Sequence, residues 1–420
     1  MAFQQGLSGL NAASKGLDVI GNNIANSNTV GFKSSQAQFS DVYANSLAGG
    51  GSTIGIGTQL ATVAAQFSQG NVSSSSNPLD IAINGGGFFR MSDNGAITYS
   101  RNGQFQLDRA GFVVNAQGLS LTGYPVNAAG LIVPSSPQPL QIPTGDIAPQ
   151  VTTAVDATMN LDARLPQPIT AIFNPADPTS YNNSTSLTLF DTLGNQHLLS
   201  MFFVRTATPN QWDTFATVDG TAAANVNLGG GAGVATQLDF STSGVLTSAM
   251  PITATVDLNA IATSLGLVNG AGSPLTFSMD FGGTSQFGAN FGVNSLSQDG
   301  YTSGRLSGLA VGQDGIMQGR YSNGQSRNIG QIVLANFNNA QGLKPLGNNQ
   351  WQETSDSGPA AVGAPNSGSL GLLQAAAVED SNVDLTAELV NMITMQRAYQ
   401  ANAQAIKTQD AVLQTLVNLR

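Results

Sequence analysis

Residues 381–420 read SNVDLTAELVNMITMQRAYQANAQAIKTQDAVLQTLVNLR and carry the clearest structural signal in the chain. Apolar side chains recur there every seven residues, with further apolar positions beside them: Leu385, Leu389, Met392, Tyr399, Ala403, Ile406, Leu413 and Val417. This spacing predicts an α-helix whose apolar seam needs a partner helix. About 35 residues of helix would extend to roughly 50 Å. Asn382 or Asp384 could cap its start, and Glu388 adds negative charge in the first turn.

The N-terminal stretch, which begins MAFQQGLSGLNAASKGLDVI, has the same period. Apolar residues fall seven apart, with two more on an adjoining track: Phe3, Leu10, Leu17 and Ile24, then Ala13 and Ile20. Two interpretations are open: both helices pack back on the rest of the chain, or they pair with each other and with copies from other chains. Gly6, Gln396 and Asp410 make the seams imperfect. This favours the second interpretation, because a weak helix pair becomes stable once many copies enclose it.

The body between these ends alternates apolar and polar residues between turns. Segments such as LDIAINGGGFF and GFVVNAQGLSLTGYPV, within residues 71–145, predict strands and hairpins. Asn102-Gly103 suits a tight turn, since glycine reaches positive φ freely. The same pattern returns in 305–351. The predicted fold class is therefore mostly β with paired terminal α-helices, made of α-helical coiled-coil ends, a discontinuous β domain and an inserted outer β domain.

Charge and proline content predict the domain boundaries. Residues 146–299 hold eleven aspartates and two arginines, a net charge of −9, which indicates a separate module facing solvent. Five prolines in 134–149 hold the chain extended and predict a linker. The resulting division is a terminal helical coiled-coil domain (1–32 and 379–420), connecting segments (33–70 and 356–378), a discontinuous middle β domain (71–145 and 291–355) and an inserted outer β domain (146–290).

The composition argues against most catalytic and metal-binding sites. Only 9% of the residues are charged, cysteine is absent, and His197 is the one histidine. Disulfides and thiolate metal sites cannot form, and the spacings of phosphate-binding and calcium loops are missing. The net charge of −10 argues against nucleic acid as a partner, and no apolar run is long enough to span a membrane. The N-terminus does not read as a secretory signal, and we expect no enzyme activity, no cofactor and no bound metal.

Two terminal stretches are specific enough to compare with known families. Residues 8–35 read SGLNAASKGLDVIGNNIANSNTVGFKSS, and the C-terminal stretch is the one quoted above. Both resemble the signatures of the rod and hook family of bacterial flagellar axial proteins. The motif residues are Asn23, Ile24, Ala25, Asn26, Thr29, Gly31, Phe32 and Lys33. PLDIAINGGGFF at 78–89 and YSRNGQFQLDRAGFVVNAQG at 99–118 are similar to the family's β body.

The resemblance implies a self-assembling structural protein of the flagellum, and the large insert favours a hook subunit over the shorter rod proteins. Such a subunit is exported unfolded by the flagellar type III export apparatus. It then polymerises outside the cell, under a hook cap scaffold, into a curved and flexible helical tube that acts as a universal joint. The implied partners are many copies of itself, the distal rod protein below and the hook–filament junction protein above, without nucleic acid or membrane insertion.

In that interpretation the apolar seams form the self-assembly helices of the inner tube, through Phe3, Leu10, Leu17, Ile24, Leu385, Leu389, Met392, Tyr399, Ile406, Leu413 and Val417. The proline segment 134–149 and the Gly-rich segment 44–57 are the predicted flexible joints. Two other functions stay open. A distal rod subunit of the same family should lack the acidic insert, and a secreted β-rich adhesin would leave the terminal seams without a purpose.

Overall fold

The terminal heptad patterns form helices in the computed structural model of the protein, which describes residues 2–42, 55–128 and 130–418. The helices are α1 (Ala2–Ala25), α2 (Leu258–Ser264) and α3 (Leu385–Asn418), with single 3-10 turns at Ala223–Asn225 and Ala340–Gly342. Most other regular structure is β-strand. The predicted fold class, mostly β with terminal α-helices, is confirmed.

The chain divides into two compact units that are each built from separated segments. Unit 1 consists of Met1–Thr144, Ser307–Arg320 and Ser326–Arg420. Unit 2 consists of Gly145–Leu306 and Tyr321–Gln325. The chain thus leaves unit 1, forms unit 2 and returns, which is the connectivity of an insertion.

The predicted division into terminal, connecting, middle and outer domains stays a prediction. The predicted boundary at 290 falls next to the strand Gly292–Gln298, which pairs with Ala154–Asn160 inside unit 2. The predicted Gly-rich joint at 44–57 lies outside the described residues, except for its last three.

Part of the proline segment is packed within unit 1, in contrast to the linker expected from its composition. The short strand Gln138–Pro139 pairs with Ser120–Pro125. Beyond it, Leu140 and Ile142 are buried, with Leu140 accepting a hydrogen bond from the backbone of Val113. The prolines block a helix there, but the apolar residues between them still gain by burial against the sheet.

A branched sheet forms the body of unit 1. Its main path runs from neighbour to neighbour through Leu306–Val311, Ile316–Tyr321, Ser326–Ile332, Ser120–Pro125, Phe88–Asp93, Ala96–Ser100, Gln350–Gln352 and Lys344–Gly347. Short strands branch from this path at Gln106–Leu107, Val113–Val114, Gln138–Pro139, Leu334–Asn336 and Ala361–Gly363. Three further strand pairs are Ser35–Val42 with Gly57–Ala65, Ile81–Asn84 with Leu372–Ala375, and Val72–Ser74 with Ala377–Glu379.

Aromatic rings from both sides of the insert meet in the core of unit 1. The ring centroids of Phe88 and Trp351 are 5.6 Å apart, and Phe67 lies 5.3 Å and 5.5 Å from them. Tyr99 meets Phe337 edge-on at 4.8 Å. These edge-to-face contacts stabilise the core beyond simple burial. Because the rings come from before and after the insert, this core needs both halves of the chain.

Unit 2 is built from two sheets that share one core. The first contains, in spatial order, Val226–Asn227, Ile252–Val256, Leu275–Asp280, Ala154–Asn160 and Gly292–Gln298. The second contains Asn183–Phe190, Gln196–Arg205, Gln211–Val218 and Thr236–Asp239. Phe203 and Trp212 from the second sheet are fully buried in one cluster with Phe277 from the first. The alternating inward residues of the strands therefore form the hydrophobic core.

Candidate functional site

Helices α1 and α3 pack together along a track of small residues on α1. A Cβ added at Gly6 would lie 3.0 Å from Cγ1 of Ile406, and one added at Gly9 would lie 2.7 Å from Oδ1 of Asn402. The missing side chains therefore allow the two helices to approach closely. In the sequence Gly6 interrupts the apolar seam, but in the structure it is a position where α1 and α3 come close together.

The predicted assembly residues differ in how far they are buried. On α1, Phe3 is 48% exposed, while three others are partly buried: Leu10, Leu17 and Ile24. On α3, Met392 and Ile406 are partly buried, and the exposed ones are Leu385, Leu389, Tyr399 and Leu413. The side chain of Val417 lies outside the described residues. The role of these residues in self-assembly stays a prediction.

The strand pair that follows α1 folds back on that helix. Nε2 of Gln5 donates to the backbone oxygen of Gly55 at 2.6 Å. Oγ of Ser8 accepts a hydrogen bond from the backbone nitrogen of Thr58 at 3.3 Å. One side of α1 thus contacts α3, and another contacts the strand pair.

Asn23 fastens the end of α1 to two other segments. Its Nδ2 donates to the backbone oxygen of Ser35 at 2.8 Å and to Oε1 of Glu388 at 3.0 Å. Its Oδ1 accepts from the backbone nitrogen of Ser35 at 2.9 Å. Asn23 is only 1% exposed, whereas Ile24 is partly buried and Ala25, the last residue of α1, is exposed. A buried amide with all these partners fixes how α1 enters the β body.

The other motif residues turn the chain after α1. Oγ1 of Thr29 donates to Oδ1 of Asn26 at 3.2 Å, and the backbone nitrogen of Phe32 donates to the oxygen of Thr29 at 3.1 Å. Gly31 has φ of +70°, and a Cβ at this position would lie 2.6 Å from the backbone nitrogen of Asn102. Both the backbone angle and the space restrict this position to glycine.

Lys33 completes the motif in a buried cluster, here called the ion triad, with Arg101 and Glu379. Nζ of Lys33 lies 2.5 Å from Oε1 of Glu379 and also donates to the backbone oxygen of Ser68 at 2.8 Å. Nε of Arg101 lies 3.2 Å from Oε2 of Glu379. The three side chains are at most 3% exposed. The triad therefore joins the N-terminal motif, the β body and the segment before α3.

The ion triad holds two cations and one anion in a poorly solvated place. Burial lowers the pKa of Lys33 below its usual value, while the hydrogen bond and the charge of Glu379 oppose that change. Burial also lowers the pKa of Arg101, again opposed by Glu379. Arg101 further donates to the backbone oxygens of Gly85 and Gly87, each at 2.7 Å. Glu379 is the anion on which both buried cations depend.

Asp384 caps α3, and Asn382 has a different role. Oδ1 of Asp384 accepts from the backbone nitrogen of Thr386 at 2.9 Å, which is an N-cap hydrogen bond. Asn382 instead binds the N-terminal half of the chain: its Oδ1 accepts from the backbone nitrogen of Ser34 at 2.7 Å, and its Nδ2 donates to the oxygen of Gln66 at 2.7 Å. Of the two predicted candidates for the cap, Asp384 is the correct one.

His197, in unit 2, lies between two carboxylates. Its Nδ1 is 2.7 Å from Oδ2 of Asp219, and its Nε2 is 3.4 Å from Oδ2 of Asp191. Burial raises the pKa of Asp191, but hydrogen bonds from Asn195, Leu193 and His197 outweigh it and hold that pKa below the ordinary value. Both ring nitrogens of the imidazole therefore face carboxylates, and Asp219 is the nearer one.

Neither a metal-binding cluster nor a membrane-spanning helix occurs among the described residues. In that part of the chain, histidine, aspartate and glutamate side chains do not gather in groups of three that could hold a metal ion. Within the same residues, the helices lack the length and apolar character needed to cross a membrane.

The sequence pattern located Lys33 but missed the residues that surround it. Arg101 lies in the YSRNGQ stretch, and Glu379 lies after the apolar run that precedes α3. A signal was available in the composition, because the chain contains only three glutamates. Two of these, Glu379 and Glu388, contact the N-terminal motif. Few carboxylates are present in this chain, and these two lie next to an apolar helix pattern. A carboxylate in such a place needs a polar partner within the protein, so the two glutamates indicate internal polar contacts.

Family models match four successive segments of the chain. The flagella basal body rod protein model matches residues 3–33, and the flagellar hook protein FlgE/F/G D1 domain model matches 82–160. The flagellar basal body protein FlaE D2 domain model matches 160–301. The flagellar basal body rod FlgEFG protein C-terminal model matches 374–419.

Similarity to individual proteins extends over the full length. The chain is 44% identical to the flagellar hook protein FlgE of Escherichia coli (strain K12), and 100% of each chain is covered. It is 32% identical to FlgE of Borreliella burgdorferi, over 100% of this chain and 99% of that one. The crystal structure of Helicobacter pylori flagellar hook protein FlgE2 matches with a TM-score of 0.50 at 16% identity, over 73% of this chain and 99% of that one, which supports the fold. The resemblance seen in the terminal stretches is thereby confirmed, and the chain belongs to the flagellar hook protein FlgE family.

Proposed function

We propose that this chain is the structural subunit of a bacterial flagellar hook. Many copies polymerise outside the cell into a curved, flexible helical tube, a universal joint that transmits torque from rod to filament. The chain matches proteins named flagellar hook protein along its whole length, and this supports the function. The proposed neighbours are the distal rod protein below and the hook–filament junction protein above. The hook cap scaffold and the flagellar type III export apparatus act during assembly.

The observation that carries the proposal is the apolar surface that the terminal helices leave uncovered. Side chains that are 45% to 60% exposed line both helices: Phe3 and Leu7 on α1, and Leu385, Leu389, Val390, Ile393, Val412 and Leu413 on α3. Burying one large aliphatic side chain contributes about 1.5–3 kcal/mol. Covering several of them with neighbouring copies therefore supplies a strong driving force for polymerisation.

The low charge of the chain suits a tube that bends. Only 9% of the residues are charged, and glycine alone accounts for 49 of the 420 residues. Charged pairs fix a contact in one geometry, whereas neutral polar groups exchange hydrogen bonds with water as surfaces shift. Contacts between copies made mainly of such groups can change during each rotation without a large barrier.

The double variant Leu389→Asp/Ile393→Asp tests the proposal. Both positions are exposed on α3, so the single chain should fold normally, while a charge at each position prevents burial between copies. Gln400→Asp/Gln404→Asp is the matched control, because it adds two charges at the same spacing at exposed polar positions of the same helix. Negative-stain microscopy and sedimentation should show curved tubes for the unaltered chain and the control, and monomers for the double variant. Normal tubes from the double variant would contradict the proposal.

The shape of the polymer separates the proposal from its alternatives. A distal rod subunit of the same family would give straight tubes, and a secreted β-rich adhesin would give none. Catalysis is not part of the proposed function, since the full-length relatives are named as flagellar hook proteins.

A further inference from the structure

Five asparagines of this chain are followed directly by glycine: Asn84, Asn94, Asn102, Asn269 and Asn323. In such a pair the backbone nitrogen of the glycine can attack Cγ of the asparagine, because glycine has no side chain to obstruct its own nitrogen. The N–Cγ bond forms, the Cγ–Nδ2 bond breaks, and ammonia leaves with the proton of the glycine amide. Water then opens the cyclic imide to aspartate or isoaspartate. The local fold decides which of the five pairs can reach the reactive geometry.

In three of these pairs an Asx turn holds the side chain. Oδ1 of the asparagine accepts a hydrogen bond from the backbone nitrogen two residues further on, which fixes the orientation of the side chain. These bonds join Asn102 to Gln104 at 3.0 Å, Asn269 to Ala271 at 2.9 Å and Asn323 to Gln325 at 3.1 Å. Attack on Cγ therefore requires the turn to open first.

Further hydrogen bonds restrain two of these three asparagines. Nδ2 of Asn323 donates to the backbone oxygen of Thr302 at 2.7 Å. The attacking nitrogen in that pair, on Gly324, itself donates to a backbone oxygen at 3.0 Å. Nδ2 of Asn269 donates to Oδ1 of Asn259 at 3.1 Å. Each hydrogen bond that must break first lowers the reactive population roughly fivefold.

The surroundings of the glycine protect two pairs. Gly103, which follows Asn102, is buried in the β body. At Asn84 the attacking nitrogen belongs to Gly85, and it donates to Oε1 of Gln69 at 2.9 Å. Asn84 is thus protected only while Gln69 stays in place. The three Asx-turn asparagines are therefore the references for a protected pair.

Asn94 is held far more weakly. It lies with Gly95 at the exposed turn between two strands of the β body. Among the described residues its side chain makes one hydrogen bond, from Nδ2 to Oδ1 of the exposed Asp93 at 3.2 Å. The backbone nitrogen of Gly95 donates to Oγ of Ser92 at 3.4 Å, which is long for a hydrogen bond. Nothing in the described part of the chain obstructs the Cβ position of Gly95 within 4 Å, so the turn can rotate freely.

We propose that Asn94 is a site of spontaneous modification, at which the Asn94–Gly95 pair converts through a cyclic imide to aspartate or isoaspartate. Aspartate places a second carboxylate beside Asp93. Isoaspartate adds one carbon atom to the backbone of a two-residue turn, because Asp93 and Ala96 are directly paired. The lengthened turn no longer fits the register of its strands. The reaction needs only a folded β body and is independent of the proposed function.

Incubation of the unassembled full-length chain at mildly alkaline pH, followed by peptide mapping with mass spectrometry, tests the proposal. The readout is the conversion of each asparagine to aspartate or isoaspartate over time. We expect Asn94 to react at least about tenfold faster than the three Asx-turn asparagines, because their hydrogen bonds must break first. In concentrated urea the turns are absent, so the four rates should converge.

Two variants sharpen the test. Asn259→Ala removes the acceptor of Nδ2 of Asn269 at an exposed position of α2, so the fold should persist. Asn269 should then react about fivefold faster, with Asn94 unchanged. Asn94→Gln is the matched control for the site itself. Its longer side chain would have to close a larger and less favourable ring, so position 94 should become unreactive.

Three results would overturn the proposal. The first is a rate at Asn94 in the folded chain that does not exceed the rates of the Asx-turn asparagines. The second is the same lead of Asn94 in urea, since the neighbouring sequence and not the fold would then set the rate. The third is a rate at Asn269 that Asn259→Ala leaves unchanged, because the hydrogen bonds would then not be the cause. A failure of the chain to form tubes would contradict the proposed function alone.

Discussion

The contact between α1 and α3 can be tested by adding one methyl group at two glycines of the same helix. Gly9→Ala and Gly21→Ala make the same chemical change inside α1. At Gly21 nothing lies within 4 Å of the new Cβ, whereas at Gly9 the Cβ would lie 2.7 Å from Oδ1 of Asn402 and 2.9 Å from its Cγ. The two variants therefore differ in the space that α3 leaves and share the same change in helix propensity.

The expected magnitudes follow from two opposing effects. Alanine stabilises a helix interior by about 1 kcal/mol relative to glycine, so Gly21→Ala should strengthen helix docking roughly fivefold. At Gly9 the same gain is opposed by overpacking, which typically costs about 1–3 kcal/mol. The Asn402 side chain, which donates to the oxygen of Ala398 at 2.9 Å, must also swing away. We expect Gly9→Ala to be destabilising relative to Gly21→Ala by about 1–3 kcal/mol.

Hydrogen exchange of the α3 amides in the unassembled chain measures this difference directly. Gly16→Ala adds an intermediate case, because its Cβ would lie 3.3 Å from Sδ of the flexible Met395 side chain. The expected order of protection is Gly21→Ala first, then Gly16→Ala, then Gly9→Ala. Equal protection in all three variants would refute the close packing of α1 on α3.

Three further changes have defined outcomes. Gly31→Ala should lower the free energy of unfolding of unit 1 by more than about 2 kcal/mol. Gly118→Ala should cost less, because Gly118 shares the positive φ but has open space around its Cβ position. Equal losses in thermal unfolding would contradict the contact at Gly31. Asn23→Asp places a carboxylate against that of Glu388 and should destabilise helix docking by roughly 3 kcal/mol, with rescue by Glu388→Gln when proteolysis of the ends is followed. The Arg164 guanidinium and nearby N–H groups lower the pKa of Asp162 from 3.8 to about 2, so its contribution to stability is complete above about pH 4 and is lost as the pH falls towards 2. Melting of Asp162→Asn should therefore differ from that of the unaltered chain at pH 7 and coincide with it near pH 2.

The sequence predicted the helices and the β body because both depend on local periodicity. Leu385 begins α3 as the heptad pattern indicates, and the segment LDIAINGGGFF supplies the strand Ile81–Asn84 and the start of Phe88–Asp93. The ion triad was not predictable in the same way. Lys33 and Glu379 are 346 residues apart, so their contact depends on the tertiary fold. The packed part of the proline segment was missed because its few apolar residues, Leu140 and Ile142, lie within a composition typical of linkers.

The difference between the predicted seam and the observed contact has a physical cause. A heptad pattern is recognised by its large apolar residues. Any two lines of residues along one helix repeat at the same spacing, so the pattern alone does not show which line faces the partner helix. In α1 Gly6, Gly9 and Gly16 lie close to α3 and Ile20 is buried, while Phe3 and Leu7 stay 48% and 45% exposed. A chain whose large apolar side chains served only its own fold would bury them first. If the proposed polymer forms, one helix combines two requirements: glycines that let the partner helix of the same chain approach closely, and exposed large residues such as Phe3 that other copies can cover.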